Sequence, residues 1–286
     1  MDAQGIKFGH TTSSGKLEEY ASRMPFIQET ENAELTLTKL RAEARKGRSL
    51  EECCQGLMEH FQAAFADSIV LARTYAIVSY DRLPAPDRAF VKATVDGLGA
   101  GDLLQENTRV LSLMGTAGVL PQWRQRYESR GHLAIPLLSE DFVAEIPMLA
   151  SLIQQLGSSS SWFQKHSGPN RQMNSFGVFT DTFFVADAAH STDSAGRLMI
   201  PAQDFVQEHH IHTVLGVGGE FVAEGVIVVS IFFSNERLTV TPKWLLRLPL
   251  LLATATRSLV SQGKLYATDP SPLPGLDRAE PETSAR

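Results

Sequence analysis

Cysteine is nearly absent from this chain: of 286 residues only Cys53 and Cys54 are cysteines, and they are adjacent. Neighbouring thiols cannot staple distant segments and do not supply zinc-ligand spacing, so the fold must rest on its core, and a reducing compartment, the cytoplasm, is expected. Long apolar runs are missing too. The most apolar stretch, Trp244 to Ala255, contains Arg247 and Pro249 and is far shorter than the roughly 20 residues that span a bilayer. The start, MDAQGIKFGH, has no apolar segment between a basic end and a cleavage site, so no export signal and no membrane partner are expected. Positive charge is in the minority, 26 Lys and Arg against 32 Asp and Glu, which argues against a nucleic-acid partner, because phosphate binding needs clustered cations. The nearest such cluster, Lys39 to Arg48, is interrupted by Glu43 and reads as a solvated helix end. No G-x-S-x-G elbow, Walker loop or H-E-x-x-H is present, and Gly216-Val-Gly218 lies between strand residues rather than before a helix, so no familiar catalytic motif argues for an enzyme.

What is present is an ordinary globular share of apolar residues, 43%, arranged with clear periods. Leu17 to Lys46 is polar with a thin stripe (Leu35, Leu37, Leu40) and predicts a helical extension in need of a partner. Ser49 and Glu52 form a capping box before a stripe of Leu50, Cys53, Cys54, Leu57, Met58, Phe61, Ala64 and Phe65, one buried helix face on which the cysteines are core residues. Ser68 to Ser79 is rich in β-branched and aromatic residues and predicts a strand. A short helix at Pro86 to Leu98 follows, then a strand at Thr108 to Leu113 closed by Gly115-Thr-Ala-Gly118, and a short strand at Ala134 to Leu137. Ser139 then starts a helix to about Leu156 that Pro147 would kink. The run of serines after Gly157 predicts a flexible connection to Asn174. Phe176 to Val185 predicts a strand, and Thr213 to Phe221 and Val226 to Phe233 a hairpin through a turn at 222–225. Thr241 and Pro242 predict the start of a last helix. Domain limits follow: 1–46 a flexible segment and helical extension, 47–265 one folded domain, and 266–286 a disordered tail.

This order is α+β: consecutive antiparallel strands in a single sheet with helices packed on it. The closing segment from His212 to Val260 is similar to the last hairpin and helix of GAF domains, through Leu215 to Gly218, Gly225, Val226 to Phe233 and Thr241-Pro242. With Gly131-His132, Ile135-Pro136 and Ile200-Pro-Ala-Gln203 in that order, residues 50 to 262 resemble a GAF-like sensory module found at the front of bacterial sensor histidine kinases. The resemblance implies a GAF/PAS-like sheet and a small-molecule ligand. No kinase or cyclase segment follows residue 262, so output through a separate signalling kinase or cyclase is expected.

Candidate ligand-binding residues are Trp123, Arg130, His132, Asp187, His190, Gln203, His210 and His212, in segments expected to border one cleft. Arg124, Arg126 and Arg130 offer guanidinium forks for a carboxylate or phosphate beside a flat indole. His209, His210 and His212 carry imidazoles suited to zinc, copper, iron or haem, although on a strand or a helix only two of them share a face. The ligand itself, organic molecule, metal or haem, stays open. Reduction of methionine sulfoxide and covalent attachment of a bilin, both known among GAF relatives, need a thiol in the pocket, which the helix cysteines would not supply. Two other readings stand beside the sensor: a homodimer built on the terminal helices, and a metal-dependent enzyme around the histidine triplet.

Overall fold

The computed structural model describes residues 33–129, 131–155, 178–221 and 226–267. The first half of the expected N-terminal helix, the serine-rich connection, the 222–225 turn and the tail beyond Ala267 lie outside the described residues, while Tyr266 and Ala267, expected in that tail, are described.

Helix α1 (Ala33–Ala44) and helix α2 (Leu50–Ala64) come first. Ser49 caps α2 by accepting a hydrogen bond from the Glu52 amide at 3.1 Å, and the Glu52 carboxylate reaches back to the Arg48 amide at 2.7 Å, one residue earlier than a capping box requires. Strand β1 (Ile69–Ser79), helix α3 (Ala85–Gly97), strand β2 (Arg109–Gly118) and strand β3 (Ala134–Leu137) follow. Two short helices, α4 (Glu140–Ala144) and α5 (Pro147–Gln155), stand where one kinked helix is expected, because Pro147 opens a new helix rather than bending the old one. Strand β4 (Val178–Val185), helix α6 (Gln203–Glu208), strands β5 (Thr213–Phe221) and β6 (Val226–Ser234), and helix α7 (Leu248–Ser261) complete the order. Thr241 does not cap α7: a 3-10 turn over Lys243–Arg247 intervenes, and Pro249 rather than Pro242 occupies the first turn of the α-helix.

The strands form one antiparallel sheet in the order β3-β2-β1-β6-β5-β4, so the α+β expectation holds. Strand β1 lies in the middle and is buried on both faces. Its side chains alternate: Ala72, Ala76 and Val78 face the helical layer of α1, α2 and α7, while Leu71, Tyr75 and Ile77 face the opposite side. On the helical face the α2 stripe packs as expected, with Phe61 stacked on Phe232 at 4.3 Å and beside Trp244 at 6.1 Å. The α1 stripe finds its partner within the chain, since Leu37 and Leu40 are buried against this core and only Leu35 stays out, 56% exposed. The thin stripe therefore does not call for a second copy of the chain.

Strand β2 does not stop at Leu113 but runs on through Gly115-Thr-Ala-Gly118, with Gly118 its last residue. A bulge skips Met114 in the pairing with β1, and a Cβ at Gly115 would stand 2.5 Å from the backbone of Cys54, so glycine is what lets α2 lie directly on the strand. Beyond Ser112, β3 no longer covers the edge of β2. Side chains take over there: Gln55 exchanges hydrogen bonds with the amide and carbonyl of Thr116, both at 3.0 Å, and Arg126 donates to the Leu113 carbonyl at 2.6 Å. Among the described residues no helix is long and apolar enough to cross a membrane.

Both cysteines are buried in the helical layer. Burial pushes the Cys53 thiol up to about 11 and the Cys54 thiol well above its usual range. Thiolate is the reactive form, so a disulfide-exchange reagent at about pH 8 is expected to leave the folded protein unlabelled and to titrate both thiols only after denaturation. Prompt labelling of either thiol in the native state would contradict this packing.

Candidate functional site

The other face of the sheet carries only short helices and loops, and between them and the sheet lies a cavity of about 870 Å³, within the range of small-molecule sites. Leu71, Arg73 and Tyr75 of β1, Leu111 of β2, Ile135 of β3, and Ile231 and Phe233 of β6 form its floor. These residues recur at every second position of their strands, which is what places them on one face. Ile146, Met148, Leu149 and Leu152, at and around α5, cover one side, and Ile200 to Phe205 another. Gln122, Trp123, Tyr127, Glu128, Ser129 and His132 form the remaining wall.

Trp123 belongs to that wall because Gly118 leaves room for its ring: a Cβ there would come within 2.9 Å of the indole. Its carbonyl accepts a hydrogen bond from Thr116 Oγ1 at 2.9 Å. The indole meets Phe205 edge-on at 5.6 Å and His209 at 4.8 Å, and Phe205 in turn meets Phe233 edge-on at 5.4 Å. This aromatic chain joins the wall to α6 and to the floor.

Polar groups in the cavity are few. Arg73 projects from the centre of β1 and is only 7% exposed. Its Nη2 donates to Ser129 Oγ at 2.6 Å, while its Nε is buried with no partner, and among the described residues no carboxylate lies within 4.0 Å of the guanidinium. Tyr127, Glu128, Gln122 and His132 complete the polar lining, with Glu128 and His132 exposed.

Immediately beside the cavity lies a second polar cluster, closed and paired. Arg126, 4% exposed, donates from Nη2 to Asp87 at 2.5 Å and from Nη1 to Tyr127 Oη at 2.9 Å, and stands 3.7 Å from Glu51. Its guanidinium lies 4.8 Å from the Tyr127 ring centre and 5.5 Å from that of Tyr266. Burial works against the Arg126 charge, and Asp87 and Glu51 together more than restore it. Burial likewise pushes the Asp87 and Glu51 carboxyls upward against the pull of Arg126, and raises the Tyr127 phenol to about 12. Arg126 is therefore committed to holding β2, α2 and α3 together and is not an anion clamp. Arg124 is also engaged, its Nε donating to the Gly118 carbonyl at 3.2 Å.

Of the residues singled out in the sequence, Trp123 and His132 line the cavity, and Arg130 lies outside the described residues. The others do not line it. Gln203 donates to the carbonyls of Ala188 and Ile200, at 3.2 and 2.7 Å, and so ties down the loop that carries Ile200. Asp187 accepts from the Ala189 amide at 3.1 Å and pairs at 3.1 Å with His190, whose side chain is 83% exposed, so both belong to a surface turn. The histidine triplet does not converge on an ion. His209 is spent in the aromatic chain, and His210 is exposed at the end of α6 with a left-handed φ of 52°. His212 enters the β5 edge, its amide donating to the Ser234 carbonyl at 2.8 Å. Among the described residues no group of three His, Cys, Asp or Glu side chains is placed to hold a metal. Among the described residues the expected metal site at His209, His210 and His212 is therefore not formed. Neither cysteine lines the cavity, since both sit on the opposite face of the sheet.

Arg73 is the residue that sequence reading passed over. Its signal is nonetheless there: a lone charge inside IVLARTYAIVS, a strand otherwise fit for burial on both faces.

No family model matches the chain, and no curated protein matches it. Several solved structures are similar to it. One is the phycoerythrobilin-bound GAF domain from a cyanobacterial phytochrome, with 12% sequence identity and a TM-score of 0.40, covering 82% of this chain and 97% of that one. Another is the phycocyanobilin-bound GAF domain from a cyanobacterial phytochrome, with 11% identity and a TM-score of 0.38, covering 81% of this chain and 96% of that one.

Proposed function

We propose that this chain is a cytosolic sensory module that binds a small molecule in the cavity on the helix-poor face of its sheet and passes the bound state to a separate signalling kinase or cyclase. The observation that carries the reading is the cavity itself: about 870 Å³ of space, walled mainly by apolar side chains, with a few polar groups set among them. A packed core of this size would not leave such a space open. Among the described residues the lining holds no thiol for covalent attachment.

A route for the signal is supported by the closed cluster. Tyr127 lines the cavity and accepts from Arg126. Arg126 lies against Tyr266, just beyond α7, and near Glu51 in the first turn of α2, whose carboxylate accepts from the Ala267 amide at 3.1 Å. Movement of the Tyr127 wall on binding would thus bear on the layer where α1, α2 and α7 meet.

Native mass spectrometry of the protein purified from its own host is expected to show a non-covalent adduct, with the loaded form melting at higher temperature than the stripped form. Protein that repeatedly emerges empty and shows no thermal shift across a broad metabolite panel would contradict the sensor reading.

A further inference from the structure

We infer that the cavity selects a monocarboxylic acid with an apolar body, its carboxylate held by Arg73 and Ser129; this deepens the sensor reading above and rests on it. Three observations carry it. The first is an unsettled charge. A guanidinium has five N–H donors, yet the described residues supply Arg73 with one partner, Ser129 Oγ at 2.6 Å, leave Nε buried and unbonded, and place no carboxylate within 4.0 Å. An uncompensated buried charge is among the costliest groups a fold can retain. Arg126, a few residues along the same wall, shows what this chain does with a structural arginine, because its charge is met by both Asp87 and Glu51.

The second observation is position. Arg73 and Ser129 both line the cavity, one from the floor and one from the wall, so a planar acceptor placed there meets the guanidinium fork and the hydroxyl together. The third is the balance of the remaining lining. Among the described residues that bound the cavity Arg73 is the one arginine or lysine, and Glu128, also in the lining, adds a negative charge. One cation suits one anionic charge, and a phosphate dianion or a dicarboxylate would bring a second charge with no further arginine or lysine among the described lining residues to meet it. The rest of the lining is largely apolar, with Leu149, Leu152, Ile200 and Phe205 among it, which fits an alkyl chain or an aromatic ring.

Matched acids and amides separate this inference from the sensor reading. Calorimetric titration near neutral pH would use 1-naphthylacetic acid and decanoic acid beside their primary amides, which keep the shape and drop the charge. The acids are expected to bind about thirty-fold more tightly than the amides, and Arg73→Gln is expected to abolish that preference. Should Arg73→Gln not fold, Arg73→Lys keeps the charge without the planar fork and is expected to weaken the acids about ten-fold and so to narrow their preference over the amides. Equal binding of acid and amide, or an acid preference that survives Arg73→Gln or Arg73→Lys undiminished, overturns the assignment and leaves the cavity reading standing. Failure of all four compounds to bind the wild-type protein removes both.

Discussion

Arg126→Met is expected to destabilise the protein by about 3–5 kcal/mol, because it strips the cation from two carboxylates that the fold has already removed from water. Asp87 is fully buried, and Glu51 is nearly so. Without Arg126 they face each other with only Ser112 Oγ, at 3.3 Å from Asp87, and the Ala267 amide, at 3.1 Å from Glu51, as hydrogen-bond donors. The same change opens the edge of β2, since the Leu113 carbonyl loses the Arg126 Nε donor. Urea denaturation would show the loss as a lower midpoint with an unchanged slope.

The pH dependence of that loss has a definite sign. Burial already raises both carboxyls in the folded state, and Arg126 opposes the rise. In Arg126→Met their folded pKa values climb further above the unfolded ones, so the folded variant takes up protons that the unfolded chain releases. The deficit against wild type is therefore largest near neutral pH and shrinks toward about pH 5, as the carboxyls become neutral. Asp87→Asn combined with Arg126→Met should cost less than the sum of the two single changes. A deficit that is flat with pH, or strictly additive single changes, would show that the three groups do not act as a unit.

Gly115→Val is the second change with a large expected effect. The added Cβ would stand 2.5 Å from the Cys54 carbonyl carbon and 2.6 Å from its oxygen, and backbone cannot swing aside as the end of a side chain can. Helix α2 would have to lift from β2, breaking the Gln55 hydrogen bonds to Thr116 and disturbing the packing of the α2 stripe. A loss of about 3 kcal/mol or more is expected, at the upper end of overpacking costs. Gly97→Ala serves as the control. Nothing lies within 4 Å of a Cβ at that position, so the variant should be unchanged or stabilised by about 0.4–1 kcal/mol. If Gly115→Val melts with the wild type, the close approach of α2 to β2 is refuted.

Most of the fold was legible because its elements follow simple periods. The α2 stripe, the β5–β6 strands and the short β3 were bounded to within a residue or two by apolar pattern alone. The errors have a common physical source, which is contact between segments remote in sequence. Gly115 looks like a strand breaker until α2 is laid on it, and Thr241 looks like a cap until the 3-10 turn intervenes. The site was less legible for the same reason. Trp123 and His132 were found from the polar stretch they occupy, but the histidine triplet was overvalued because sequence shows residue types and not where their rings point. Of the wall arginines, Arg126 turns away to Asp87, and only the paired sheet reveals that Arg73, hidden in an apolar strand, faces the cavity. A charge in the middle of a central strand is the sequence signal that carries most weight in retrospect, since a fold rarely keeps one without a partner or a use.

Xenon under pressure tests the cavity most directly, because the gas enters apolar space without needing the true ligand or its charge. Crystals of the protein are expected to show xenon bound over Ile231, beneath Leu149 and Leu152. Crystals with no xenon on that face of the sheet, and with side chains filling the space above β1 and β6, would contradict the account at its root.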